Sequence, residues 1–263
     1  MIVSLRQGAE SMLRELSSVT WFVLDTITET AGRLRRHSAP VRLEQLFEQT
    51  MRAGVGSIPL VSLVSLFLGL TTALLVGYQL ERLGAEQAVP GFVAVSFTRE
   101  LGGLLTGIVL AARSGAAFTA ELGTMTVSEE VDAIEGMGIG PLRYLAAPRM
   151  AASILMLPPL AVVSDLAAFA GGAIVCRARF AISFHYFGTL AMDSLVLQDI
   201  WVGLVKALLF GAIIGVIACY KGLTARRGAV GVGTATTQSV VASIAAVIAC
   251  DTLCNIIVVR ILG

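Results

Sequence analysis

Residues 53–80 contain no Asp, Glu, Lys or Arg, and this apolar run limits what the chain can fold into more than any other feature. As an α-helix rising about 1.5 Å per residue, it would be longer than the hydrocarbon core of a bilayer, which is about 30 Å thick. Similar segments follow at residues 91–122, 150–176, 199–220 and 235–262. The pattern predicts an all-α integral membrane protein with five transmembrane helices.

The N-terminal region differs from these segments because charged residues interrupt it. Between residues 8 and 36, apolar residues recur at helical spacing with charges between them, which predicts an amphipathic helix lying in the membrane interface. Trp21 and Phe22 are expected to dip into lipid; the alternative is a cytosolic helix packed on the rest of the protein. We therefore divide the chain into an interfacial cytosolic region, 1–52, and a five-span domain, 53–263.

Composition and the placement of charge limit the partners and the orientation. The chain is 56% hydrophobic and 14% charged, with a formal net charge of +1, so no basic field indicates a nucleic acid as a partner. Most Lys and Arg residues outside the spans lie in the N-terminal region and in the loops after spans 2 and 4. The positive-inside rule then predicts a cytosolic N-terminus and a C-terminus on the other side of the membrane.

Five of the charged residues inside the predicted spans lie at a similar depth. Counting from the span ends places them roughly 10–15 Å below the outer surface. Charges at membrane depth are costly and usually mark a function or a specific pairing. One interpretation is a polar lining at the mouth of a cavity that meets a charged headgroup; the other is structural pairing, such as Lys206 with Asp251. The five residues are Arg99, Glu100, Asp165, Lys206 and Asp251.

A short acidic segment, residues 128–139, connects spans 2 and 3. Ser128 is placed to cap a helix whose first turn is acidic, and Gly136 and Gly138 would end it. At helical spacing, the apolar side chains form one stripe and the acidic side chains form the opposite face. The segment is either a docking helix for a soluble partner or a solvated connector. The residues concerned are Glu129, Glu130, Asp132 and Glu135 on the acidic face, and Val131, Ile134 and Met137 on the apolar stripe.

The residues of known catalytic motifs are missing from the sequence. It contains no G-x-x-x-x-G-K-[ST] pattern, so the chain does not bind ATP through a P-loop of its own. His37 and His185 are too far apart to suggest a triad or a metal site, and Cys250 and Cys254 lack further ligands nearby. We expect a protein that is not an enzyme and that uses neither a cofactor nor a metal.

Four blocks of sequence resemble the MlaE/YrbE family of ABC-transporter permeases. They are RELG at Arg99–Gly102, AARSGAAFTAELGTM at Ala111–Met125, SEEVDAIEGMGIGPLRYLAAPR at Ser128–Arg149 and GLTARRGAVGVGTATTQSVV at Gly222–Val241. One departure is Gly103, which stands where the family pattern has a proline and is expected to alter the local bend of span 2.

This resemblance implies a homodimer in the bacterial inner membrane that moves phospholipid between the inner and outer membranes. It also implies a separate cytosolic ATPase that docks on the Glu129–Glu135 helix and hydrolyses the ATP. A hexameric MCE-domain protein would sit on the periplasmic face, and a small STAS-domain regulator often binds the ATPase. Tyr78, Arg99 and Glu100 become candidates for headgroup contact, and Leu66, Leu70 and Leu74 for contact with acyl chains.

Two other functions are compatible with the residues alone. The buried charges suit an ion-coupled secondary transporter, and a passive membrane scaffold for a periplasmic ring needs no transport chemistry at all. The dimer seam is also open, although span 5 and the small residues of span 1 (Gly69, Ala73 and Gly77, spaced by four) are the expected contacts.

Overall fold

A computed structural model describes residues 18, 21, 22, 24–26 and 43–262 of the chain. Every regular element in these ranges is helical. Most of the predicted amphipathic helix, residues 8–36, lies outside them. Of its described residues, Trp21 is exposed, whereas the Phe22 ring packs edge-on against Tyr220 with centroids 5.7 Å apart. Phe22 is half-buried and contacts the protein on one side, and the insertion of Trp21 and Phe22 into lipid stays a prediction.

Among the described residues, five helices are long and apolar enough to cross a membrane, as predicted. These spans 1–5 cover Glu44–Glu81, Glu86–Val127, Leu142–Arg179, Leu197–Leu223 and Ala229–Arg260. Most extend beyond the predicted apolar segments, because helices continue through polar residues at their ends. Span 1 comprises α1 (Leu43–Ala53) and α2 (Ile58–Glu81), and span 2 comprises α3 (Val89–Ser96), α4 (Gly102–Leu110) and α5 (Ala116–Val127). Spans 3, 4 and 5 contain α7 (Ala147–Arg179), α9 (Leu197–Leu223) and α10 (Ala229–Leu262). Two shorter helices, α6 (Glu130–Gly136) and α8 (Phe184–Ser194), lie in the connections.

Consecutive spans run in opposite directions, so their connections lie on two faces. We call them the Glu81 face, which holds residues 82–85 and 180–196, and the Val127 face, which holds residues 128–141 and 224–228. An ion pair between Arg179 and Glu81 (3.4 Å) joins the ends of spans 3 and 1. On the other face, Arg227 lies 3.9 Å from Glu129.

The small-residue stripe of span 1 packs against span 3 of the same chain. Val61, Ser65, Gly69, Ala73 and Gly77 are the buried residues of α2, and the Ser65 and Ser164 hydroxyls are 2.7 Å apart. A Cβ at Gly69 would overlap the carbonyl group of Ala168. The stripe is therefore a helix interface, as predicted, but it is already occupied and is not a surface for a second subunit.

Span 4 lies between other spans, whereas span 5 is exposed along one side. Gly211 allows span 4 to approach span 3 so closely that a Cβ would lie 2.6 Å from the Ser153 carbonyl oxygen. In span 5, apolar side chains such as Val241 and Leu253 remain more than half exposed. Because lipid or another chain must cover such a surface in a membrane, span 5 still fits the expected subunit contact.

Candidate functional site

A π-helical turn, Phe97–Leu101, presents Arg99 and Glu100 within span 2. The amide of Gly102 donates to the carbonyl of Phe97, five residues earlier, so this turn holds one more residue than an α-helical turn. Turns of this kind are rare and are frequent at functional sites. The helix continues unbroken through Gly103, where an added Cβ would have ordinary contacts of 3.8 Å or more.

Lys206 is the centre of a buried polar network that links spans 2, 4 and 5. Its ammonium group lies 2.6 Å from Glu100 Oε2 and 3.0 Å from Asp251 Oδ1, and it also donates to Asn255 Oδ1. Asn255 in turn donates to Glu100 Oε2 over 2.9 Å. The Lys206 side chain is only 4% exposed, so these partners replace water around its charge, as a buried cation requires.

Arg99 joins the same network from its more open side. Its guanidinium lies 3.6 Å from Asp199 Oδ1 and 3.9 Å from Glu100 Oε1. The side chains of Arg99 and Glu100 are 35% and 32% exposed, whereas Asp199 is buried. The network thus has a closed half around Lys206 and an accessible half that offers a guanidinium beside a carboxylate.

Two members of this network, Asp199 and Asn255, were missed as site residues in the sequence. The sequence spacing could have identified both residues, because Asp199 precedes Lys206 by seven residues and Asn255 follows Asp251 by four. Those spacings put each pair on one helix face. A polar residue that shares a helix face with an intramembrane charge is therefore a candidate member of the same site, even when it is uncharged.

Asp165 is the predicted residue that stands apart. The other four, Arg99, Glu100, Lys206 and Asp251, share the network. The carboxyl group of Asp165 instead packs against Gly102, and its Oδ1 atom finds no hydrogen-bond partner among the described residues. The structure thus brings four of the five residues together in one network and leaves Asp165 outside it, while their depth in the membrane stays a prediction.

The predicted lipid contacts of span 1 are spread along α2. Tyr78 is half-exposed and pairs with Arg82, which donates to its hydroxyl and lies 4.5 Å from the ring centroid. The hydrogen bonds of the described residues do not connect Tyr78 to Arg99. Leu66 and Leu70 are partly buried against span 3, while Leu74 is half-exposed. The structure therefore does not gather these side chains and Arg99 into one contact group.

The docking segment is shorter than predicted and begins differently. Helix α6 spans Glu130–Gly136, and Glu129 before it adopts a left-handed conformation with φ of 60°. The Ser128 hydroxyl does not cap α6. Its one proton has two acceptors within reach, Thr124 O at 3.0 Å at the end of α5 and Glu130 Oε1 at 2.9 Å, and neither is a backbone amide of α6. The capping prediction is wrong because Ser128 belongs to the last turn of the preceding helix.

The two sides of α6 have different surroundings. Val131 and Ile134 pack on a core cluster that includes Leu122 and Leu145, whereas Met137 is 67% exposed. The acidic side chains Glu129, Glu130, Asp132 and Glu135 all remain exposed. The helix is therefore anchored to spans 2 and 3 by two residues of its apolar stripe and presents a negative surface outward.

A second ion-pair group lies on the Val127 face, where α1 meets spans 2 and 3. Arg149 is buried, with 8% of its surface exposed, and it donates to Glu121 Oε2 over 2.9 Å and to Leu145 O over 2.8 Å. Glu121 also lies 3.6 Å from Arg52 of α1. No group of three or more His, Cys, Asp or Glu residues suited to a metal was found in the part of the chain that the structure describes.

Comparison with known proteins places these features in context. A family model described as "Permease MlaE" matches residues 46–257. A probable ABC transporter permease protein of Rickettsia typhi is 38% identical over 204 residues, which is 78% of this chain and 79% of that protein. One from Synechocystis is 36% identical over 216 residues, 82% and 80% of the two chains. The chloroplastic protein TRIGALACTOSYLDIACYLGLYCEROL 1 of Arabidopsis thaliana is 37% identical over 218 residues, 83% of this chain and 62% of its own.

Proposed function

The chain belongs to the MlaE permease family and is an ABC transporter permease, and from this premise we propose that it carries phospholipids between the inner and outer membranes of a bacterium. The observation that carries the proposal is the half-open pair of Arg99 and Glu100 in span 2, set in a network of otherwise buried charges. A chain with five apolar spans exposes such a pair at a steep cost unless a polar ligand uses it.

A phospholipid supplies the chemistry that this pair accepts. The Arg99 guanidinium is suited to bidentate hydrogen bonding with a phosphate. Glu100 Oε1 is available to an amine or hydroxyl group of the headgroup, because Lys206 and Asn255 both bind the other oxygen, Oε2. In our proposal, Leu66, Leu70 and the half-exposed Leu74 offer apolar surface to the acyl chains along span 1, apart from the Arg99 network. Tyr78, beside Arg82, is a separate candidate for headgroup contact. One relative is named after a diacylglycerol glycolipid, which agrees with a lipid cargo.

Energy for transport would come from a separate ATPase that docks on α6. The exposed acids of this helix, Glu129, Glu130, Asp132 and Glu135, offer a surface for basic groups of that partner. Val131 and Ile134 connect α6 to the core cluster of spans 2 and 3, so a push on α6 is delivered to span 2. Span 2 then passes through two π-turns, Ala111–Gly115 and Phe97–Leu101, before it reaches the lipid site.

The assembly follows from the orientation. In our proposal the Val127 face is cytosolic and meets the ATPase, with which a STAS-domain regulator associates. The Glu81 face is periplasmic and meets a hexameric MCE-domain protein, and the C-terminus lies on that side. Two copies of the chain form the homodimer, with the exposed side of span 5 as the natural contact.

The test is ATP-dependent transfer of a fluorescent phospholipid by permease reconstituted with its ATPase and MCE protein. We expect Arg99→Ala to lower the transfer rate about tenfold or more, as loss of a charged ligand contact does. Arg177→Ala removes an exposed arginine at the end of span 3, outside the network, and serves as the control, with an unchanged rate. Wild-type transfer by Arg99→Ala, in protein that folds normally, would refute the assignment of the site.

The same reconstitution separates the rival functions. The buried network around Lys206 is the observation that favours an ion-coupled carrier, which would move lipid or ions without ATP and would respond to a proton gradient. A passive scaffold would show no transfer under either condition. Membership of an ABC permease family favours the ATP-dependent outcome.

A further inference from the structure

The turn between spans 4 and 5 belongs to a sequence block, GLTARRGAVGVGTATTQSVV at Gly222–Val241, that the transport site does not use. It folds into the end of α9, a turn at residues 224–228 and the start of α10. Gly228 has a φ of +94°, a conformation suited to glycine. A Cβ at Gly231 would overlap the Arg226 carbonyl group, and one at Gly123 would lie 3.3 Å from Ala225. Through these contacts the turn packs closely against α5 and α10.

A cavity of about 520 Å³ opens beside this turn. Of the residues that the structure describes, three cations line it, Lys221, Arg226 and Arg227, and no carboxylate does. The remaining walls are largely polar and include Tyr220, Thr224, Thr234 and Gln238. The first turn of α10 adds the positive end of a helix dipole. The cavity is therefore suited to a negatively charged group.

The basic cavity lies next to the acidic surface of α6. Arg227, on the rim of the cavity, is 3.9 Å from Glu129, and both side chains are mostly exposed. Arg226 is exposed and forms no ion pair with the residues that the structure describes. The Val127 face thus carries two neighbouring patches of opposite sign, which we call the α6 patch and the basic pocket.

We propose that the basic pocket is a second docking site for the soluble partner that binds α6, and that it accepts an acidic loop or helix end of that partner. The proposal rests on the proposed function, since it needs the partner at α6. It is carried by the cationic lining of the pocket and by its continuity with the α6 patch, where Arg227 lies 3.9 Å from Glu129. A partner with basic groups opposite α6 and acidic groups opposite the pocket can bind in one orientation only, because rotation brings like charges together.

The experiment titrates full-length permease in nanodiscs with its soluble ATPase and measures the Kd by biolayer interferometry at low and high salt. Arg226→Glu is the test variant, because Arg226 has no role in the lipid site. We expect its Kd to rise about tenfold at low salt, with a weaker salt dependence than wild type. Arg260→Glu makes the same change at the opposite end of span 5 and should leave the Kd unchanged. Reversal of acidic residues in the partner should restore binding to Arg226→Glu.

Two results would overturn the proposal. One is a Kd for Arg226→Glu within about twofold of wild type in a variant that melts normally. The other is an effect of Arg226→Glu that appears only in nanodiscs containing phosphatidylglycerol, which would assign the pocket to an anionic lipid headgroup. A parallel variant, Glu130→Lys, distinguishes failure of the pocket proposal from failure of the proposed function. If it weakens binding while Arg226→Glu does not, only the pocket fails; if wild-type permease binds no ATPase, the proposed function fails.

Discussion

Removing the ammonium of Lys206 is the most informative perturbation of the polar network. Lys206→Met keeps the length of the side chain and removes its charge. Glu100 and Asp251 approach the ammonium to 2.6 and 3.0 Å, so they would lose their shared cation at once. Arg99, which lies near Glu100 and Asp199, would then be the only cation among the described residues of a network with three carboxylates, those of Glu100, Asp199 and Asp251.

The size of the effect follows from burial. The Lys206 side chain is 4% exposed and that of Asp251 is 14% exposed, so water does not replace the lost partner. Breaking a buried pair by removing one member typically costs about 3–5 kcal/mol, and we expect that loss for Lys206→Met. Asp251→Asn leaves Lys206 paired with Glu100 and should cost less, about 1–3 kcal/mol.

The two substitutions should not add. In the single variant Lys206→Met, the Asp251 carboxylate lacks a cation, whereas in the double variant Lys206→Met/Asp251→Asn that carboxylate is absent. The double variant should therefore be about 1–3 kcal/mol more stable than the sum of the two single effects predicts. Equilibrium unfolding in mixed dodecyl maltoside–SDS micelles, followed by tryptophan fluorescence, measures the three free energies. Asp193→Asn, an exposed change on the Glu81 face, is the control and should stay within about 0.5 kcal/mol of wild type.

Strict additivity in this cycle would refute the reasoning. It would mean that Lys206 and Asp251 do not interact energetically despite their 3.0 Å separation. A Lys206→Met variant as stable as wild type would contradict the stronger claim that the network is desolvated.

Two further predictions concern packing and the second ion-pair group. Gly211→Ala should destabilise the protein by about 1–3 kcal/mol, because its Cβ would meet the backbone of Ser153; Gly233→Ala, whose Cβ would meet nothing within 4 Å, should be neutral or slightly stabilising in the same unfolding assay. Glu121→Gln should cost about 1–3 kcal/mol, because it weakens the only carboxylate contact of buried Arg149 among the described residues. Loss of stability in Gly233→Ala, or none in Glu121→Gln, would count against these assignments.

The membrane spans could be predicted from the sequence because the physics that forms them is local. A long apolar segment must satisfy its backbone hydrogen bonds internally in lipid, and only a helix does so within one segment. The Lys206–Asp251 pair was also within reach, since two opposite charges at similar depth are expected to find each other. The acidic surface of α6 was visible for a similar reason, because its charges lie within seven residues.

The structure differs from the sequence-based predictions where the result depends on contacts with other segments of the same chain. The Ser128 hydroxyl bonds to Thr124 O because α5 continues as far as Val127, a length that the capping pattern does not reveal. The π-turn at Phe97–Leu101 is a shift of backbone hydrogen bonding, which has no compositional signature. The sequence also does not reveal the contact of Phe22 with Tyr220, which lies 198 residues away.

Composition and hydrophobic length alone determined that this chain crosses a membrane five times and that a few charges must be buried with it. Only the tertiary structure decided which charges meet. Lys206 collects Glu100, Asp251 and Asn255 because spans 2, 4 and 5 converge there, whereas Asp165 at a similar depth is left against Gly102. The physical reason is that depth is a property of one helix, whereas pairing depends on how two helices are rotated and how closely they approach. Small residues such as Gly69 and Gly211 set that approach.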